Sequence, residues 1–132
     1  MFNLFRKNKK YPPFPALAEF DKKDLYFIRT AEWDFLSNQV IYVNDPCGPR
    51  VLTLDPWPQL VFIGANGVLT VSEYVHYMAD KYDSAIPDAL DKTIIHELNT
   101  LLNYKIIAFS AIKQRPRRGY DMPLSKRKEN EN

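Results

Sequence analysis

Residues 64–78, GANGVLTVSEYVHYM, decide the fold, because they hold either the turn of a β-hairpin or the junction between two helices. The segment TVSE, Thr70 to Glu73, settles the choice. It has the form of a capping box, in which the threonine hydroxyl accepts from the glutamate amide and the glutamate carboxylate reaches back to the threonine amide. Leu69 and Tyr74 stand where a hydrophobic staple would fix the angle of entry. Thr70 is therefore expected to start a helix to about Tyr82, with Val71, Tyr74, Val75, Met78 and Ala79 along one stripe.

Reading backward, DPWPQLVFIGANG (55–67) supports a short buried helix from about Pro56 to Ala65. Asp55 suits its N-cap, Pro56 its first position, and Asn66 or Gly67 a left-handed ending. Reading forward, DSAIPDALD punctuates, and a third helix is expected from about Asp88 to Asn103. Leu90, Ile94, Leu98, Leu101 and Leu102 face inward, and Asn103 is the expected C-cap. KIIAFSAI then reads as a strand able to pair with an earlier hairpin. That hairpin is QVIYVND (39–45) and RVLTLD (50–55), two β-branched runs joined by PCGP. DKKDLYFIRTAEWDFL (21–36) fits a strand, with Leu25, Phe27, Ala31, Trp33 and Phe35 on one side, or a short helix; a strand followed by a turn is preferred.

The expected class is α+β: a small winged helix-turn-helix-like domain with an N-terminal β-hairpin, three helices and a closing strand. Its 132 residues, 45% hydrophobic, suffice for one sizeable core. Charge is segregated: residues 11–112 carry −6, whereas residues 1–10 and 113–132 carry +4 each. The chain is accordingly divided into a flexible basic segment (1–13), one domain (14–112) and a flexible basic tail (113–132). A single cysteine excludes an internal disulfide, and no apolar run has the length of a signal peptide or membrane span, which points to the cytoplasm.

LVFIGANGVLTVSEYVHYMADKY resembles the central segment of PqqD-like domains, small peptide chaperones and peptide-recognition elements. Asn66, Gly67, Thr70, Val71 and Glu73 carry the likeness, and LNTLLNYKIIAF resembles the family's closing helix and strand. The resemblance covers about residues 40–110. It implies a non-catalytic module that takes a peptide as an added strand at a sheet edge, with the third helix as the other wall. The implied peptide-binding residues are Val40, Tyr42, Asn44, Val51 and Thr53 on the hairpin, and Asp91, Glu97 and Asn99 on the exposed face of the third helix. An acidic wall would prefer basic peptides.

The alternative is a winged-helix DNA-binding protein that uses its basic ends. The third helix offers Asp88, Asp91 and Glu97 against Lys92, a face that repels phosphate. Nucleic-acid or membrane contact would then fall to Arg6, Lys7, Lys9, Lys10, Arg115, Arg117, Arg118, Lys126, Arg127 and Lys128. Catalysis finds little support. HELNT (96–100) begins like the zinc motif His-Glu-x-x-His, but Thr100 replaces the second histidine. Glu73 and His76 are spaced like half of a di-iron pair, with no second half. Cys47 has no base nearby in sequence. No catalytic residue, metal or cofactor is assigned.

Overall fold

The computed structural model describes residues 10–126. Within them the protein is α+β, with helices packed on two antiparallel three-stranded sheets. The elements are α1 (Pro15–Glu19), β1 (Tyr26–Arg29), β2 (Trp33–Phe35), β3 (Ile41–Asn44), β4 (Val51–Thr53), α2 (Pro56–Gly64), β5 (Asn66–Thr70), α3 (Val71–Ala79), α4 (Leu90–Asn103), β6 (Ile107–Ser110) and α5 (Arg118–Asp121).

The capping box is present: Thr70 Oγ1 accepts from Glu73 N at 3.1 Å, and Thr70 N donates to Glu73 Oε1 at 2.8 Å. Val71, Tyr74, Val75, Met78 and Ala79 are all buried, as the stripe requires. The stretch before the cap differs from expectation. Residues 66–70 are a strand, not a turn, so α2 and α3 are joined through β5 and Thr70 serves as both strand end and cap. Gly67 does adopt φ +75°, but inside β5, and the C-cap of α2 is Ala65. Asp55 stands at the N-cap of α2 without a side-chain cap hydrogen bond.

The first sheet has the order β5-β1-β6. Phe27 pairs with Phe109 and Ile28 with Ala108, so the closing strand pairs with β1 and not with the hairpin. The second sheet has the order β2-β3-β4; the expected hairpin is its β3–β4 pair, with Asn44 opposite Val51. Residues 21–36, expected as one strand and a turn, instead feed both sheets through β1 and β2. Phe27, Ala31 and Trp33 are buried on the expected side, while Phe35 is half exposed. A short helix, α1, follows the prolines at 12 and 13; no helix was anticipated there.

Helix α4 is the central support. Leu90, Ile94, Leu98 and Leu101 are buried along it, and α1, α2, α3 and β6 all pack on it. Its ending also differs from expectation: Asn103 is the last helical residue, Tyr104 the cap, and Lys105 takes the left-handed conformation at φ 61°. No helix among the described residues is long and apolar enough to cross a membrane.

Packed structure does not stop at residue 112. Pro116 is buried and α5 lies against the body. Its anchor is Arg29, 4% exposed, which donates to the Tyr120 carbonyl at 2.8 Å and meets Asp121 Oδ1 at 3.1 Å. The same guanidinium donates to the Phe62 and Ile63 carbonyls in the last turn of α2, placing a cation at a helix C-terminus. Trp33 Nε1 also donates to the Tyr120 carbonyl, and Ser125 binds the Asp34 carboxylate. The expected flexible tail is thus corrected over 113–126: buried hydrogen-bond partners hold basic, proline-containing sequence whose composition alone suggests mobility.

Candidate functional site

Strand β4 is an edge of the second sheet, and the phase of its ladder determines which main-chain groups face outward. Asp45 N donates to the Arg50 carbonyl at 2.9 Å. With Asn44 opposite Val51 and Val43 opposite Leu52, this makes Val43–Leu52 the hydrogen-bonded pair. The N–H and C=O groups of Val51 and Thr53 therefore point away from β3. Val51 and Thr53 are exposed, whereas Leu52 packs against the core.

Beside this edge runs a cleft of about 220 Å³ between β4 and α4. Leu52, Thr53 and Leu54 line one wall; His96, Glu97, Thr100 and Tyr104 line the other. Sequence reading anticipated a strand edge facing the third helix, and the two elements do enclose this space. The residues expected there are distributed differently. Val51 and Thr53 are on the free edge, but Tyr42 and Asn44 are on the central strand β3, and Val40 precedes it in the β2–β3 connection. Strand addition at β3 is blocked because β2 and β4 occupy both of its sides.

On α4 the expected exposed acidic face is not one surface. Asn99 is exposed, but Asp91 is 1% exposed and its Oδ2 accepts from Leu17 N at 3.0 Å. That bond satisfies a free amide in the first turn of α1, so the carboxylate caps a helix 74 residues away in sequence. Glu97 is 9% exposed and lines the cleft. Among the described residues its carboxylate meets His96 Nε2 at 3.7 Å and no hydrogen-bond donor within normal range. Helical spacing contains the signal for both: residues 91, 94 and 98, and 94, 97 and 101, share the inward stripe.

The hairpin tip is held by Arg50 Nε on Asp45 Oδ2 at 2.6 Å, which pulls the Asp45 carboxyl below its ordinary range and raises the Arg50 guanidinium. Cys47 is exposed in that turn, its amide donating to Asp45. His76 is exposed on α3, with Nδ1 2.9 Å from the Ser72 carbonyl oxygen and edge-on contacts from Tyr11 and Phe14. Thr100 donates to the His96 carbonyl within the helix. Among the described residues no group of three or more His, Cys, Asp or Glu side chains is placed to hold a metal ion. Of the basic residues assigned to the alternative reading, Lys10, Arg115, Arg117, Arg118 and Lys126 are exposed; Arg6, Lys7, Lys9, Arg127 and Lys128 lie outside the described residues.

A second concavity, about 470 Å³, lies between α2, β5 and α3, lined by Leu60, Ile63, Tyr74 and Tyr77 among others. Burial there raises the Tyr74 phenol above its ordinary range, and its hydroxyl donates to the Leu60 carbonyl. The adjoining edge is less suited to pairing. The β1–β5 register shifts between Tyr26 and Ile28, and the Val68 amide is bound by the Asn66 side chain. Comparison with protein-family models, curated proteins and solved structures finds no match for this chain.

Proposed function

We propose that the protein is a non-catalytic binding module that takes an extended peptide, or a strand of a partner protein, along the free edge of β4 beside α4. The observation that carries this reading is the outward main chain of Val51 and Thr53 next to a cleft walled by α4. Main-chain pairing supplies affinity in such a mode, and the cleft supplies selection among alternate side chains. The resemblance of residues 40–110 to PqqD-like domains points the same way. A winged helix-turn-helix-like arrangement belongs to this proposal, with β3–β4 as the hairpin, α2, α3 and α4 as the helices, and β5 in place of the turn.

A pair of proline substitutions tests it. The Thr53 amide faces away from β3, so Thr53→Pro removes a donor that the fold does not use; proline is tolerated at such edge positions. Leu52→Pro removes a ladder donor and should destabilise the sheet. The probe is an unstructured peptide of alternating valine and threonine with one central lysine. Thr53→Pro should melt close to wild type and lose peptide binding. Undiminished binding by Thr53→Pro would overturn strand addition at β4.

A further inference from the structure

The two buried acids of α4 pose a contrast. Asp91 is explained within the chain, because it caps α1. Glu97 is not: it is 9% exposed, it lies on the inward stripe between Ile94 and Leu101, and among the described residues its carboxylate meets only the imidazole of a largely exposed histidine, at 3.7 Å. The Glu97 side chain, 12% exposed at the wall of the cleft, keeps its oxygens free to accept from a donor that enters there. The remaining polar lining includes Asp55 and the Thr53 and Thr100 hydroxyls, and no lysine or arginine.

Building on the proposed strand addition, we infer that Glu97 is the specificity-determining residue of the β4–α4 cleft and selects a peptide carrying lysine or arginine at the side-chain position that faces α4. The occupant is a segment of another chain, chosen by charge complementarity: a carboxylate at the wall, Asp55 at the rim, and an acidic body around them. Pairing with β4 fixes the register, and alternate residues of the added strand project toward α4. His96 is the internal competitor, since its Nε2 approaches the same carboxylate when no ligand cation does.

The test uses the full chain and three peptides of alternating valine and threonine, with lysine, glutamine or norleucine at the centre. Calorimetry should give roughly tenfold tighter binding for the lysine peptide than for the glutamine peptide, as a charge-assisted hydrogen bond implies. Glu97→Gln keeps the shape of the side chain and should abolish that preference, with a melting temperature close to wild type showing that the variant is folded. His96→Ala should preserve or increase the preference. Equal binding of lysine and glutamine peptides by wild type, or a preference that survives Glu97→Gln, would overturn the role of Glu97 and leave strand addition standing. Failure of all three peptides to bind would overturn strand addition itself. Amide shifts around Thr53 and Glu97 on deleting residues 127–132, with no peptide added, would make the chain's own end the occupant and overturn the assignment to a separate chain.

Discussion

The two sheets have the same size and opposite character. The β5-β1-β6 sheet is tied into the molecule by buried polar contacts: Arg29 on its central strand joins the end of α2 to α5, and Gly67 on β5 lies against the Gln114 main chain. The β2-β3-β4 sheet is tied down on one side, where Trp33 and Asp34 of β2 hold the 120–125 segment, and β4 is left open on the other. In the first region the Arg29 guanidinium has its acceptors inside the chain. Beside the second, among the described residues, the outward main chain of β4 has no such partner, and the Glu97 carboxylate of α4 meets only His96 Nε2, at 3.7 Å. The difference separates residues that hold the fold from residues available to a ligand.

Breaking the closed region should have the largest effect. Arg29→Met would leave the Phe62, Ile63 and Tyr120 carbonyls and Asp121 without their cation, and should cost about 3–5 kcal/mol in urea unfolding. Burial lowers the Arg29 guanidinium to about 10, with Asp121 opposing that shift, so the group stays charged at neutral pH and its removal leaves these acceptors unpaired. Removal of residues 113–132 should destabilise the body for the same reason, although composition alone marks that segment as dispensable.

Next in size is Gly67→Ala. A Cβ at this position would collide with the Gln114 carbonyl oxygen, and φ is +75°. The left-handed backbone alone should cost about 1–2 kcal/mol, and the clash should lift residues 113–126 from the sheet. Hydrogen exchange should then rise in that segment and at Trp33 Nε1, while β3 and the Leu52 amide of β4 stay protected.

Legibility follows the same division between local and distant causes. The capping box, the PCGP reversal and the inward stripe of α4 are written within a few residues of each other, and each was readable. NGVLT (66–70) can be read as a hairpin strand or as the approach to a helix, and the capping box decides for the helix; pairing with β1, some forty residues earlier, makes it a strand that ends at the cap. Arg29 escaped notice although alternation from Phe27 to Ala31 puts it on the buried side, because its acceptors lie at residues 62, 63, 120 and 121. Of the candidate site, the meeting of strand edge and third helix was legible. Which strand was the edge was not, since that depends on β2 pairing with β3. Glu97 was read as a surface acid because its charge outweighed its position on the stripe.

Two smaller effects sharpen the comparison. Thr70→Ala and Thr70→Val should each cost about 1 kcal/mol through the lost cap, valine included, although residue 70 also ends a strand. At the open sheet's tip, the Asp45 carboxyl should titrate below its ordinary 3.8 because Arg50 bonds its charged form. Its contribution is present above that value and is lost as pH falls through the lowered one. Carboxyl chemical shifts followed through an acid titration check this, and Arg50→Gln should return the midpoint toward 3.8.

The central claim is that the open edge of β4, and not the closed sheet, receives a partner. Backbone amide shifts of the full chain, recorded while the lysine-centred peptide is added, test it most directly. The account predicts one cluster spanning Val51, Thr53, His96, Glu97, Thr100 and Tyr104. Shifts gathered instead on β5 and α3, around Val68 and Tyr77, or confined to the basic ends of the chain, would contradict it.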